Sequence, residues 1–107
     1  MPVVLQLDPR YLGILRSIFD QILKDQNVEV LAYGSRIGSN YHSGSDLDLV
    51  IRSTVDRLQP VKNIFALLEL ISDSNIPILV DVLDWARIPP EFHAEIDKRH
   101  VKIWPVG

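Results

Sequence analysis

Two aspartates one residue apart, Asp46 and Asp48, stand at the head of the apolar run Leu47, Leu49, Val50, Ile51. This pattern constrains the chain more than any other. Its alternation is that of a β-strand, in which successive side chains point to opposite faces. Asp46 and Asp48 then share one face, while Leu47, Leu49 and Ile51 share the face that can be buried. Two strand positions span roughly 6.6 Å. Carboxylates that close repel one another unless a cation lies between them. Hard divalent ions such as Mg²⁺ prefer such oxygens. Ten residues upstream, beyond Arg36 to Ser45, lies Gly34-Ser35, a pair suited to a tight turn. The stretch joins a glycine turn that suits phosphate to a carboxylate pair that suits magnesium.

The chain of 107 residues is long enough for one core, and we expect a single domain over residues 1–107. Its net charge of −3 disfavours a general binder of nucleic-acid backbone, which needs a basic surface. The absence of cysteine excludes disulfides and thiolate metal sites. Met1 to Leu7 has no basic segment followed by a long apolar run, so no signal peptide or membrane span is expected. The expected location is the cytoplasm.

In chain order, Asp8-Pro9 reads as a helix start, with an N-cap oxygen and a proline in the first turn. Leu12, Leu15, Phe19, Ile22 and Leu23 carry that helix to about Gln26. Val28 to Tyr33 reads as the first strand, followed by a short helical turn from about Ser35. Asn40 to Ser45 is a polar loop, and Asp46 to Ile51 the second strand. Pro60 is expected in the first turn of a helix with the apolar stripe Val61, Ile64, Phe65, Leu68 and Ile71. Ile76 to Leu83 is the third strand. Pro89-Pro90 opens a helix over Glu91 to Arg99, and Val101 to Trp104 forms a terminal strand. The order predicts an α/β (α+β) fold, a mixed sheet with helices packed on it. The short link between the first two strands makes them antiparallel.

Gly-Ser, ten residues, then Asp-x-Asp resembles the signature of the DNA polymerase β-like nucleotidyltransferase superfamily. The Gly34-Ser35-Arg36 opening and the short length are most similar to its minimal nucleotidyltransferase branch, whose members are often antitoxins paired with HEPN-domain toxins. The resemblance is specific from Gly34 to Ile51 and loose elsewhere. It implies that Gly34 and Ser35 hold the outer phosphates of a nucleotide. Asp46 and Asp48 would bind catalytic Mg²⁺, as two ions, together with a third carboxylate from a neighbouring strand. Asp81, inside Ile78 to Leu83, is expected to be that third ligand, since a charge in an apolar run is costly unless paired or metal-bound. Asp84 is the alternative, although its opposite parity and place at the strand's end suit a turn or N-cap. Arg36 is a fork of donors suited to phosphate. Ser45 either contacts phosphate or caps its loop.

Other polar residues carry blander expectations. His42 and Tyr41 lie in the loop over the site. His93 and His100 read as surface residues. Lys98, Arg99, His100 and Lys102 form a basic cluster that is either a solvated face or a contact for a partner or nucleotide. Together with the resemblance, these features imply a Mg²⁺-dependent enzyme that moves AMP from ATP to a tyrosine hydroxyl of a HEPN-type helical toxin and associates with it as a hetero-oligomer. A non-catalytic module that occludes such a partner, or an adenylyltransferase for a small molecule, are the rivals.

Overall fold

The computed structural model describes residues 3–38, 42 and 44–106. Helix α1 spans Pro9–Leu23, and Asp8 caps it by accepting the Arg10 backbone N–H at 2.8 Å. Strand β1 is Val28–Tyr33, and a short 3₁₀ turn follows at Gly34–Ile37. Strand β2 is Leu47–Ser53, helix α2 Ile64–Ser72 and strand β3 Val80–Asp84. A second 3₁₀ turn, Trp85–Arg87, leads to helix α3, Pro90–Lys98, and strand β4, Val101–Trp104.

The four strands form one mixed sheet in the order β3-β2-β1-β4. β1 pairs antiparallel with β2 and β4, as the short β1–β2 link demands, and β2 pairs parallel with β3. Strand alternation sorts the side chains. Val30, Ala32, Leu47, Leu49, Ile51 and Val82 pack with Leu15 and Phe19 of α1 and Leu67 of α2. Leu31 and Val50 point the other way, onto Trp85 and Ile96 of the α3 side. So α1 and α2 cover one face and α3 covers part of the other. Among the described residues, no helix is long and apolar enough to cross a membrane.

α3 is held to its face by a charged link. Arg52, buried in β2, donates to Glu29 at 2.7 Å and to Asp97 of α3 at 2.9 Å. Its guanidinium lies 4.7 Å from the centre of the Trp85 ring. On Trp85 stacks His93, 4.1 Å away and parallel within 1°. His93 is therefore not the surface residue its spacing implies; its Nε2 lies 2.6 Å from the Trp85 carbonyl oxygen. His100 likewise has Nδ1 2.8 Å from the Ile96 carbonyl.

Several element boundaries depart from the sequence pattern; α1 ends at Leu23, short of Gln26, and β2 runs past Ile51 to Ser53. α2 begins at Ile64, after Asn63 in the left-handed region, so Pro60 lies in the connection. Val61 is buried all the same, while Phe65 of the expected stripe is 84% exposed. β3 begins at Val80, not Ile76, because Pro77 has no N–H to give a ladder. β2 begins at Leu47, which leaves Asp46 one residue ahead of the strand.

The face assignment is testable. Leu49→Ala, at a fully buried position, is expected to cost about 2–5 kcal/mol in urea unfolding. Phe65→Ser should change stability by no more than about 0.5 kcal/mol. Equal losses would show that α2 buries the wrong side.

Candidate active site

The strand register assembles the site. Tyr33 lies opposite Asp48 across β1 and β2, and Asp48 opposite Asp81 across β2 and β3. Neighbouring strands lie about 4.8 Å apart. The three residues thus form a row across the sheet on the α3 face. Asp46 precedes β2 by one residue and is exposed. Asp48 is half-buried; Asp81 is exposed, on a strand that is the edge of the sheet among the described residues.

These carboxylates feel one another. Partial burial pushes the Asp48 carboxyl above the usual range, and the charges of Asp81 and then Asp46 add to the effect. Tyr33 is pushed up to about 12, first by burial and then by Asp48 and Asp81. Its phenol therefore stays protonated at neutral pH and can donate a hydrogen bond. Among the described residues, no group of three or more His, Cys, Asp or Glu side chains is placed to hold a metal ion. The donors nonetheless fit a hard divalent ion in kind. They are all carboxylate oxygens, they lie on one side of one sheet, and their mutual repulsion is what a cation would relieve.

Gly34 closes the row at its top. Its φ of +80° is a conformation that side chains disfavour, and a Cβ there would overlap Oδ2 of Asp48. Only glycine lets the turn sit against that carboxylate. Gly34 and Ser35 are exposed and open into a cleft of about 560 Å³ between the 3₁₀ turn and α3, a volume in the range of small-molecule sites. Tyr33 and Phe92, 5.7 Å apart and edge to face, line it. Sequence spacing does not single out either aromatic. Strand parity with Asp48 is the signal that would have found Tyr33.

Arg36 faces inward, away from the expected phosphate. It is buried, and its Nε donates to the Ser45 carbonyl at 2.8 Å while Nη1 donates to the Gln6 carbonyl at 2.7 Å. Gln6 in turn donates its backbone N–H to the Arg36 carbonyl at 2.6 Å. This residue clamps the segment before α1 to the loop that delivers Asp46. Ser45 is buried, and its Oγ accepts the His42 N–H at 3.0 Å, a loop-capping contact. His42 is exposed, and Tyr41 lies outside the described residues. Asp84 is also committed. It is buried, accepts the N–H groups of Val61 at 3.1 Å and Ala86 at 3.2 Å, and pairs with Arg87 at 3.3 Å. Its side of the strand is not that of Asp48.

The mixed sheet thus carries a glycine turn packed against a row of carboxylates. The family model for the nucleotidyltransferase domain matches residues 12–106, and the chain belongs to that family. It is a transferase of nucleotidyl groups. A relative from Haemophilus influenzae, described as the probable protein adenylyltransferase MntA, is 35% identical over 106 residues, which covers 92% of this chain and 83% of that protein.

Two predictions follow from the electrostatics and the clamp. Because folding raises the Asp48 pKa, its ionised form destabilises the fold. That penalty is absent below the unfolded pKa of about 3.9 and grows as pH rises through the folded value. Asp48→Asn in the presence of a chelator should therefore be more stable than the wild type at pH 7 and equal to it near pH 3 in urea titrations. Arg36→Ala should lower stability by about 2 kcal/mol, since one buried and one partly buried carbonyl lose a charged donor. An unchanged unfolding midpoint would return Arg36 to the surface.

Proposed function

We propose that the protein is a Mg²⁺-dependent adenylyltransferase that moves AMP from ATP to a hydroxyl of a partner protein. The observation that carries this reading is the register that sets Asp48 beside Asp81, with Asp46 next to them and Gly34 packed on the Asp48 carboxylate. Gly34 and Ser35 hold the outer phosphates through backbone N–H groups and the serine hydroxyl. The acceptor oxygen forms a bond to the α-phosphorus, the bond from that phosphorus to the α–β bridging oxygen breaks, and pyrophosphate leaves. Asp81, exposed at the edge, takes the acceptor's proton. Asp46, Asp48 and Asp81 are the residues that would hold Mg²⁺, as two ions. Bound there, the metal would neutralise charge on the attacking and leaving oxygens. The chain's own part is positioning and charge placement.

The protein acceptor is supported by the relative described as a protein adenylyltransferase. The finer reading follows the resemblance of the Gly34 to Ile51 stretch: the acceptor is a tyrosine of a HEPN-type helical toxin, and AMP transfer silences it in the cytoplasm. The roles of Arg36 and Ser45 in this reading are indirect. They hold the loop that carries Asp46, and ATP affinity depends on them only through it.

Incubation of the protein with such a toxin, ATP and Mg²⁺ should add one or more AMP units to the toxin by intact-mass spectrometry. Asp46→Asn, Asp48→Asn and Asp81→Asn should each slow transfer by about a hundredfold or more while the domain stays folded. Asp84→Asn should keep transfer within a few-fold and lose about 1–3 kcal/mol of stability, because it supports buried N–H groups. A toxin silenced equally by wild type and Asp46→Asn, with no gain in mass, would make occlusion the mechanism.

A further inference from the structure

The cleft has a cationic wall that the glycine turn and the carboxylates do not account for. Lys98 and Arg99, at the C-terminal end of α3, line it opposite Gly34, Ser35 and Gly38. Two members of the basic cluster read from sequence thus face the nucleotide turn.

Their states differ. Lys98 stands 3.4 Å from Glu95, which also lines the cleft, so its charge is matched. Arg99 has no carboxylate within ion-pair distance among the described residues. Its guanidinium lies over Gly38, where a Cβ would overlap Nη2. The backbone at Gly38, with φ −134°, is one any residue adopts, so what glycine provides there is room for the guanidinium. The side chain's one hydrogen bond among the described residues is from Nη2 to the Ile37 carbonyl, and at 3.4 Å it is long. A guanidinium held so loosely exchanges that contact for a phosphate at little cost, and its planar fork matches phosphate oxygens in pairs.

We propose that Arg99 is a binding residue for the polyphosphate of the nucleotide, gripping it from the α3 side of the cleft while Gly34 and Ser35 hold it from the other. The inference rests on the nucleotidyl-transfer reading and extends it. It also answers an electrostatic need. The carboxylate that packs against Gly34, Asp48, repels a triphosphate, the chain as a whole is negative, and the arginine of the Gly34 turn, Arg36, commits Nε and Nη1 to backbone carbonyls.

The test is calorimetric titration of the full chain with ATP and with AMP in Mg²⁺, alongside thermal melts. Arg99→Ala should weaken ATP binding about tenfold and leave AMP binding within about twofold. Gly38→Ala keeps every charge but displaces the guanidinium. It should weaken ATP binding as well, and combined with Arg99→Ala should add nothing further. Lys102→Ala removes an exposed charge of the same cluster outside the cleft lining and should leave ATP binding within about twofold. Should Arg99→Ala unfold the chain, Gly38→Ala and Arg99→Lys carry the comparison. A wild type that binds ATP while the Arg99 variants bind it equally well overturns the assignment of Arg99 alone. Parallel loss of ATP and AMP binding, or an equal effect of Lys102→Ala, overturns it too. A folded wild type that binds no ATP removes the nucleotidyl-transfer reading, and the Arg99 proposal with it.

Discussion

Parallel pairing of β2 with β3 is the contact on which the site depends. Antiparallel β1 and β2 alone would place Asp48 beside Tyr33 and leave Asp46 and Asp48 as an isolated pair. The third strand, in parallel register, sets Asp81 against Asp48 and makes the pair a row. Parallel strands need a crossover. Here it contains α2, whose Leu67 and Ile71 bury onto the face opposite the carboxylates. One face of the sheet supplies the apolar burial that keeps mutually repelling charges together on the other.

The covering of the second face is partial, and that is what leaves room for a substrate. Leu31 and Val50 are roofed by Trp85 and Ile96, while Asp48 and Asp81, further along the same face, are half-buried and exposed. The boundary is drawn by Arg52, which ties α3 to the sheet through Asp97 and supports the Trp85 ring. Arg52 is buried while Asp97 stays exposed, and taking the guanidinium out of water is costly unless its donors are met. In this fold it sets where the roof ends.

How much of this was legible in the sequence follows from how local each signal is. The Asp46 to Ile51 alternation and the Gly34 turn depend on neighbours a few residues away, and β1, β4 and the buried face of Leu47, Leu49 and Ile51 came out as the pattern reads. That Asp81 and Asp84 lie on opposite faces of β3 was legible too, because strand parity is a local property. Signals that depend on distant partners were not legible. Arg36 looks like a phosphate ligand until Gln6, 30 residues upstream, and Ser45 take its donors. His93 looks solvated until Trp85 stacks on it. Arg99 meets Gly38 only through the packing of α3 on the turn. Pro60 and Pro77 misled at the boundaries. The first resembles a helix start where the chain instead makes a left-handed step at Asn63, and the second interrupts an apolar run without changing its hydropathy.

Asp81 sits on the strand that, among the described residues, is the edge of the sheet, and such edges are drawn from the low end of local stability. Any cation shared by Asp48 and Asp81 would bridge the last strand to its neighbour. By mass action, occupancy and edge order then rise together. The amides of β3 would exchange with solvent more slowly when the site is filled than when it is empty. The edge would report occupancy, so that the part of the sheet easiest to open becomes the part that records whether the site is loaded.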